Sequence, residues 1–190
     1  YAVCYWAQPA IAGALALQEK HKLEPAGIEH IRVFTFHEAS RLTCSRPQST
    51  EEAQYSLPFP VAMALARGQL GLEELSSAAL RDALVLRLAE RVEMVDDDSF
   101  NARFPADRMS RVVIETTAGA TFDSGDVRAR WDLTTPPTDE ELREKFRWLA
   151  QETLPAPRAA ALEEMIWHCA DLQQASSLVE LLVPACQGPT

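Results

Sequence analysis

Cysteine is scarce in this chain, basic residues are outnumbered and long apolar runs are missing. The four cysteines, Cys4, Cys44, Cys169 and Cys186, are scattered through 190 residues, with no Cys-x-x-Cys pair and no histidine at ligand spacing. That pattern excludes a zinc site of ordinary spacing and a disulfide scaffold, and it reads as reduced thiols of a cytoplasmic protein. Lys and Arg number 18 against 28 Asp and Glu, a formal charge of −10. Such a chain repels nucleic-acid phosphates and anionic membrane surfaces, so neither is expected as a partner. Nor does it attract a polycarboxylate from a distance; a local group of Arg or Lys would have to hold one against the net field. No apolar run approaches about 18 residues and no signal peptide is visible, which points away from membrane insertion and export. Repeats and low-complexity tracts are missing too. The chain opens on Tyr1, with no Met and with Pro9-Ala10 close behind, and so is expected to be a piece of a longer protein.

What is present is the material of an ordinary soluble fold, with 47% hydrophobic and 24% charged residues. A globular chain of this size buries roughly 70% of its unfolded surface and needs no staple. Residues 9 to about 22 carry Ile11, Ala14, Leu15 and Gln18 at helical spacing behind Pro9, which suits a first turn. Residues 28–36 alternate as a strand with apolar groups on both faces, which predicts a central position in a sheet. Residues 51–67 read as a helix that Pro58 and Pro60 must kink or restart, closed by Gly68. A short helix is expected near residues 72–75. A longer one is expected over 78–90, with Leu80, Leu84 and Leu88 in one stripe.

Strand patterns follow. Residues 92–95 form a short strand before the acidic turn Asp96-Asp97-Asp98, read as solvated and not as a calcium loop. Residues 111–117 alternate, Ala118-Gly119 turns the chain, and a return strand starts at Ala120 and breaks at Ser124-Gly125. Thr138 with Glu141 is a capping box before a helix carrying Leu142, Phe146 and Leu149. Two further helices carry Leu162, Met165, Ile166 and Cys169, and then Leu178 to Leu182, the last ended by Pro184. The expected class is α+β: a small mixed or antiparallel sheet covered by helices and flanked by helical segments at both ends.

Four segments together resemble the MmgE/PrpD family, the family of 2-methylcitrate dehydratase. Tyr1-Ala2-Val3-Cys4-Tyr5-Trp6-Ala7-Gln8-Pro9-Ala10-Ile11 is similar to the segment leading from that family's helical domain into its lid. Tyr55-Ser56-Leu57-Pro58-Phe59-Pro60-Val61-Ala62 is similar to its Phe-Ser-Leu-Pro-Tyr-Ala-Val-Ala stretch. Phe104-Pro105-Ala106-Asp107-Arg108 resembles its Phe-Pro-x-x-Arg turn, and residues 139–146 resemble its closing helix with a Lys-Phe pair. The resemblance implies a leading helical segment over 1–22 and an α+β lid over 23–133. Carboxy-terminal helices over 134–190 would pack on an amino-terminal helical domain that these residues do not include.

The resemblance further implies proton abstraction beside a carboxylate of a small polycarboxylate, without metal or organic cofactor. Trp148 and Trp167, on the two carboxy-terminal helices, would expose apolar surface in the chain alone, so a homo-oligomer is expected. Gln8 stands where many members have His; it either orients a carboxylate, since Gln cannot act as a base, or makes a solvent or capping contact at the helix entry. Phe59 stands where members usually have Tyr and brings no hydroxyl. Tyr55 and Ser56 either replace that hydroxyl or cap and pack the helix. Arg108 is either an anion contact or the partner of Asp107 or Glu115. His21, His30, His37 and His168 stand isolated, and neither His30 nor His37 has a carboxylate at a spacing that suggests a dyad, so a bland surface or edge role is expected for each. Dehydration, epimerisation and a non-catalytic binding or assembly role all stay open.

Overall fold

The computed structural model describes residues 1–182, so Pro184 and Cys186 lie outside the described residues. The class is α+β. In chain order the elements are α1 (Gln8–His21), β1 (Ile28–Thr35), α2 (His37–Ser40), α3 (Thr50–Gln54), α4 (Pro58–Arg67), α5 (Ala83–Ala89), β2 (Val92–Asp96), α6 (Asp98–Asn101), β3 (Met109–Thr116), β4 (Thr121–Arg128), α7 (Asp139–Ala150), α8 (Ala156–Trp167) and α9 (Ser176–Leu182). Two compact units result, Tyr1–Arg130 and Trp131 onward. Among the described residues no helix is long and apolar enough to cross a membrane.

The first unit is built on a mixed sheet in the order β2-β1-β3-β4. β1 pairs in parallel with β2 and antiparallel with β3, and β4 returns antiparallel to β3. β1 is therefore interior, as its two apolar faces require: Ile31, Val33 and Thr35 are fully buried while Arg32 and Phe34 are half-buried on the other side. α1 lies against β3, β4 and α4. Its Ala10, Ile11, Ala14 and Leu17 enter the same core as Ile28, Ile31, Val112 and Ile114. The helix comes close to the sheet at Gly13, where a Cβ would sit 3.2 Å from Ser124 Oγ and 3.3 Å from Val112 Cγ2. At its end Lys20 and His21 complement the helix dipole, and Lys22, in the left-handed conformation, donates its N–H to the Gln18 carbonyl.

The prolines at 58 and 60 restart the helix instead of kinking it. α3 stops at Gln54, and α4 begins at Pro58, where a missing N–H costs nothing. Gly68 at φ 72° ends α4. The helix expected over 78–90 is split. Asp82 takes extended backbone, and its carboxylate accepts from the N–H groups of Leu84 and Val85, so α5 starts only at Ala83. Leu80 belongs instead to a separate 3-10 turn, Ala79–Arg81. An aspartate that can cap competes well against continuing a helix, and here that outweighs the leucine stripe.

The return strand differs in the opposite sense: β4 does not break at Ser124-Gly125. The pairing shifts between Arg111 and Val113, forming a bulge with Gly125 at φ 65°. Ser124 Oγ accepts the Val112 N–H at 2.9 Å, replacing the ladder bond that the bulge removes. The chain leaves the strand after Arg128, and the next residue, Ala129, still donates its N–H to the Arg108 carbonyl at 2.9 Å.

In the second unit the capping box forms as its sequence dictates: the Thr138 hydroxyl accepts the Glu141 N–H and the Glu141 carboxylate accepts the Thr138 N–H. α7 is joined to α8 through Glu163, which is nearly buried and accepts from Arg143 Nη1 at 2.8 Å and from Arg147 Nε and Nη2 at 2.9 and 2.8 Å. Arg143 also lies over the Trp167 ring at 4.1 Å. Arg158 Nε donates to the Leu181 carbonyl at 2.6 Å, tying α8 to α9.

Candidate functional site

Three of the residues singled out in the sequence, Gln8, Tyr55 and Arg108, adjoin the segment before α1. Its Tyr5–Ala7 turn is fixed from one side by the Cys4 N–H, which donates to the Gln54 carbonyl at 2.8 Å. This brings the end of α3, and Tyr55 after it, beside Cys4. From another side the Tyr5 hydroxyl donates to the Arg130 carbonyl at 3.0 Å, and the Arg108 guanidinium lies over the Tyr5 ring at 5.6 Å. Gln8 opens α1, half-buried, with Nε2 3.5 Å from the Val3 carbonyl. That bond is at the limit of length and leaves the amide largely uncommitted.

The two hydroxyl candidates separate clearly. Ser56 is fully buried and fully used: its Oγ donates to the Cys44 carbonyl at 2.5 Å and accepts the Phe59 N–H at 3.1 Å, capping α4. Tyr55 is 68% exposed, so its phenol faces water. Phe59 is fully buried in the core. Position 59 is thus a packing position in this unit, and a hydroxyl there would need a buried partner.

Asp107 does not pair with Arg108. It is held by Arg103 at 2.9 Å and Arg128 at 2.6 Å, while Glu115 is held by Arg32 at 2.5 Å. Both acidic neighbours being taken, Arg108 has no carboxylate partner among the described residues. Arg103 and Arg128 thus meet at Asp107, while Arg108 and the Arg130 backbone meet at Tyr5, which gathers an arginine group here in a chain of net negative charge. Tyr1 feels it too: burial pushes its phenol up, and the Arg130 charge opposes that push. Tyr5, Arg128 and Arg130 had no assigned role in the sequence. The alternation of Arg128 and Arg130 along the strand was visible, but nothing local said that Tyr5 would meet it. An aromatic group supports the same segment, with Trp6 edge-on to Phe36 at 5.7 Å and Phe36 stacked on Phe104 at 4.4 Å.

The histidines are less isolated than their spacing suggests. His37 Nδ1 lies 2.7 Å from Asp96 Oδ2, and Asn101 Nδ2 donates to Asp96 Oδ1 at 2.7 Å while the His37 N–H donates to Asn101 Oδ1 at 2.6 Å. His30 Nε2 sits 2.9 Å from Glu93. Both pairs form because the parallel pairing of β1 and β2 joins residues about sixty positions apart. Asp96 and Asp97 are correspondingly not a plain solvated turn. The hydrogen bonds from His37 and Asn101 hold the Asp96 carboxyl below its usual range, and Asp97 caps α6. Among the described residues no group of three or more His, Cys, Asp or Glu is arranged to hold a metal ion.

No curated protein matches the chain closely. Residues 1–171 match the family model of the MmgE/PrpD C-terminal domain, which spans both the arginine group around Tyr5 and the capped helix α7. The chain belongs to the MmgE/PrpD family and carries its C-terminal domain.

Proposed function

We propose that this chain is the lid-bearing carboxy-terminal part of a 2-methylcitrate dehydratase-like lyase acting on a small polycarboxylate, and that it is inactive without an amino-terminal helical domain. The observation that carries the proposal is Arg108, stacked on Tyr5 with no carboxylate partner among the described residues. Elimination beside a carboxylate builds negative charge on the substrate, and cations already in place lower the barrier by stabilising it. In this proposal Arg108 takes one substrate carboxylate, the Gln8 amide orients another, and the Tyr55 phenol is a hydroxyl open to ligand. Ser56 serves by capping the helix beneath them. The proton-abstracting base comes from the other domain, and neither metal nor organic cofactor takes part. The full enzyme works in the cytoplasm as a homo-oligomer.

The complete enzyme, with and without Arg108→Ala, should be tested for citrate-like ligand binding and for loss of water followed by mass. Dehydration lowers the product mass by one water, whereas an epimerase of the same family would conserve mass. A second reading rests on the buried Phe59: the domain binds or assembles without catalysis. Absence of specific binding of any citrate-like acid by the complete protein would favour it.

A further inference from the structure

The loop between α2 and α3, the 3-10 turn before α5 and α5 itself enclose a cavity of about 290 Å³. Gln8, Tyr55, Ser56 and Arg108 do not line it. Arg46 and Arg81 line it together with Pro47, Leu80 and Leu86. Pro47 and Leu80 are buried and Leu86 is half-buried, so this apolar lining is part of the folded unit. Arg46 gives its Nε to Glu90, which leaves its terminal N–H groups uncommitted. Arg81 has no acidic partner among the described residues, because the neighbouring Asp82 is taken by Arg67. Gln48 is held in place by its own N–H, which donates to Glu52 at 2.7 Å.

We propose that this cavity binds a monocarboxylate with a compact apolar body. One guanidinium is enough to supply a forked pair of donors matched to a carboxylate, and the leucine and proline side chains of the lining accept the hydrocarbon. At about 30 Å³ per water-sized volume the space takes roughly ten non-hydrogen atoms. A tricarboxylate fits poorly, since its further charges would face the apolar lining without partners. Inorganic phosphate can meet a guanidinium but has no hydrocarbon to cover the apolar lining, so it gains less there. The site is separate from the arginine group around Tyr5 and stands whether or not the lyase proposal holds.

Benzoate, with nine non-hydrogen atoms, is the probe, titrated into the purified protein while amide resonances are followed by NMR. The expected result is saturable movement of the Gln48, Ser77 and Arg81 amides, with phosphate unable to displace the ligand. Arg81→Gln should weaken binding about tenfold or more by removing a charge-assisted bond. Ser77→Glu, on the exposed rim, should weaken it similarly by adding a like charge, and it serves if the first variant does not fold. The proposal is overturned if the shifts do not saturate, if a folded variant binds as well as the parent, or if phosphate competes equally.

Discussion

Arg108 lies over the ring of Tyr5 at 5.6 Å, and the Tyr5 hydroxyl reaches on to the Arg130 carbonyl at 3.0 Å. This cation–π contact draws on the guanidinium charge without using any of its N–H donors, which stay available. That combination suits an anion contact better than a surface ion pair, which commits the donors and contributes little stability.

Replacing Arg108 with Ala in the complete enzyme should weaken binding of a citrate-like acid by about ten- to a hundredfold, the range of one lost hydrogen bond to a charged group. Lys at this position should restore little, because it lacks the planar fork that stacks on the ring. Calorimetric titration of both variants decides it; wild-type affinity in Arg108→Ala would remove Arg108 from the site.

Phe59→Tyr should destabilise the first unit by about 1–3 kcal/mol, since the added hydroxyl enters a fully buried site without a ready partner. Denaturant unfolding measures this. A gain of lyase activity in the complete enzyme with unchanged stability would instead mean that position 59 reaches the substrate.

The Asp96 carboxyl is held below its usual range by His37 and Asn101. A depressed folded-state value contributes stability that is present above the unfolded carboxylate range near about pH 4 and lost as pH falls through the folded value. The stability difference between the parent and Asp96→Asn should therefore shrink as pH is lowered below about 4. Acid unfolding followed by circular dichroism tests this, and a difference that does not change with pH would contradict it.

Glu163→Gln should destabilise the second unit, because Arg143 and Arg147 both donate to this nearly buried carboxylate and would lose charge-assisted bonds. A loss of about 1–3 kcal/mol is expected, read as a lower unfolding midpoint. An unchanged midpoint would mean that desolvation offsets the bonds in the parent.

Leu133, Leu142, Ile166, Val179 and Leu182 are exposed in the second unit. Apolar side chains in such number favour association, so the purified chain should self-associate at high concentration. Light scattering that finds a monomer throughout the concentration range would refute this.

Local chemistry was enough to read much of the fold. The capping box at Thr138 and Glu141, the turn at Ala118-Gly119 and the interior position of β1 each depend on a few neighbouring residues, and each formed as read, while at Pro58 the structure chose the restart over the kink. The split at Asp82 and the bulge at Gly125 were harder to read, because there one side chain chose between two local bonding patterns.

For the site, the sequence itself determined the residue types: a Gln at position 8, a Phe at 59, and arginines near 108 and 128. Tertiary structure alone decided which of them are free to act. Asp107 turned to Arg103 and Arg128 and left Arg108 to Tyr5, while His37 found Asp96 across a parallel pair of strands. Such partnerships depend on strand register and loop path, which bring residues about sixty to over a hundred positions apart within 3 Å of each other. No local pattern encodes that distance.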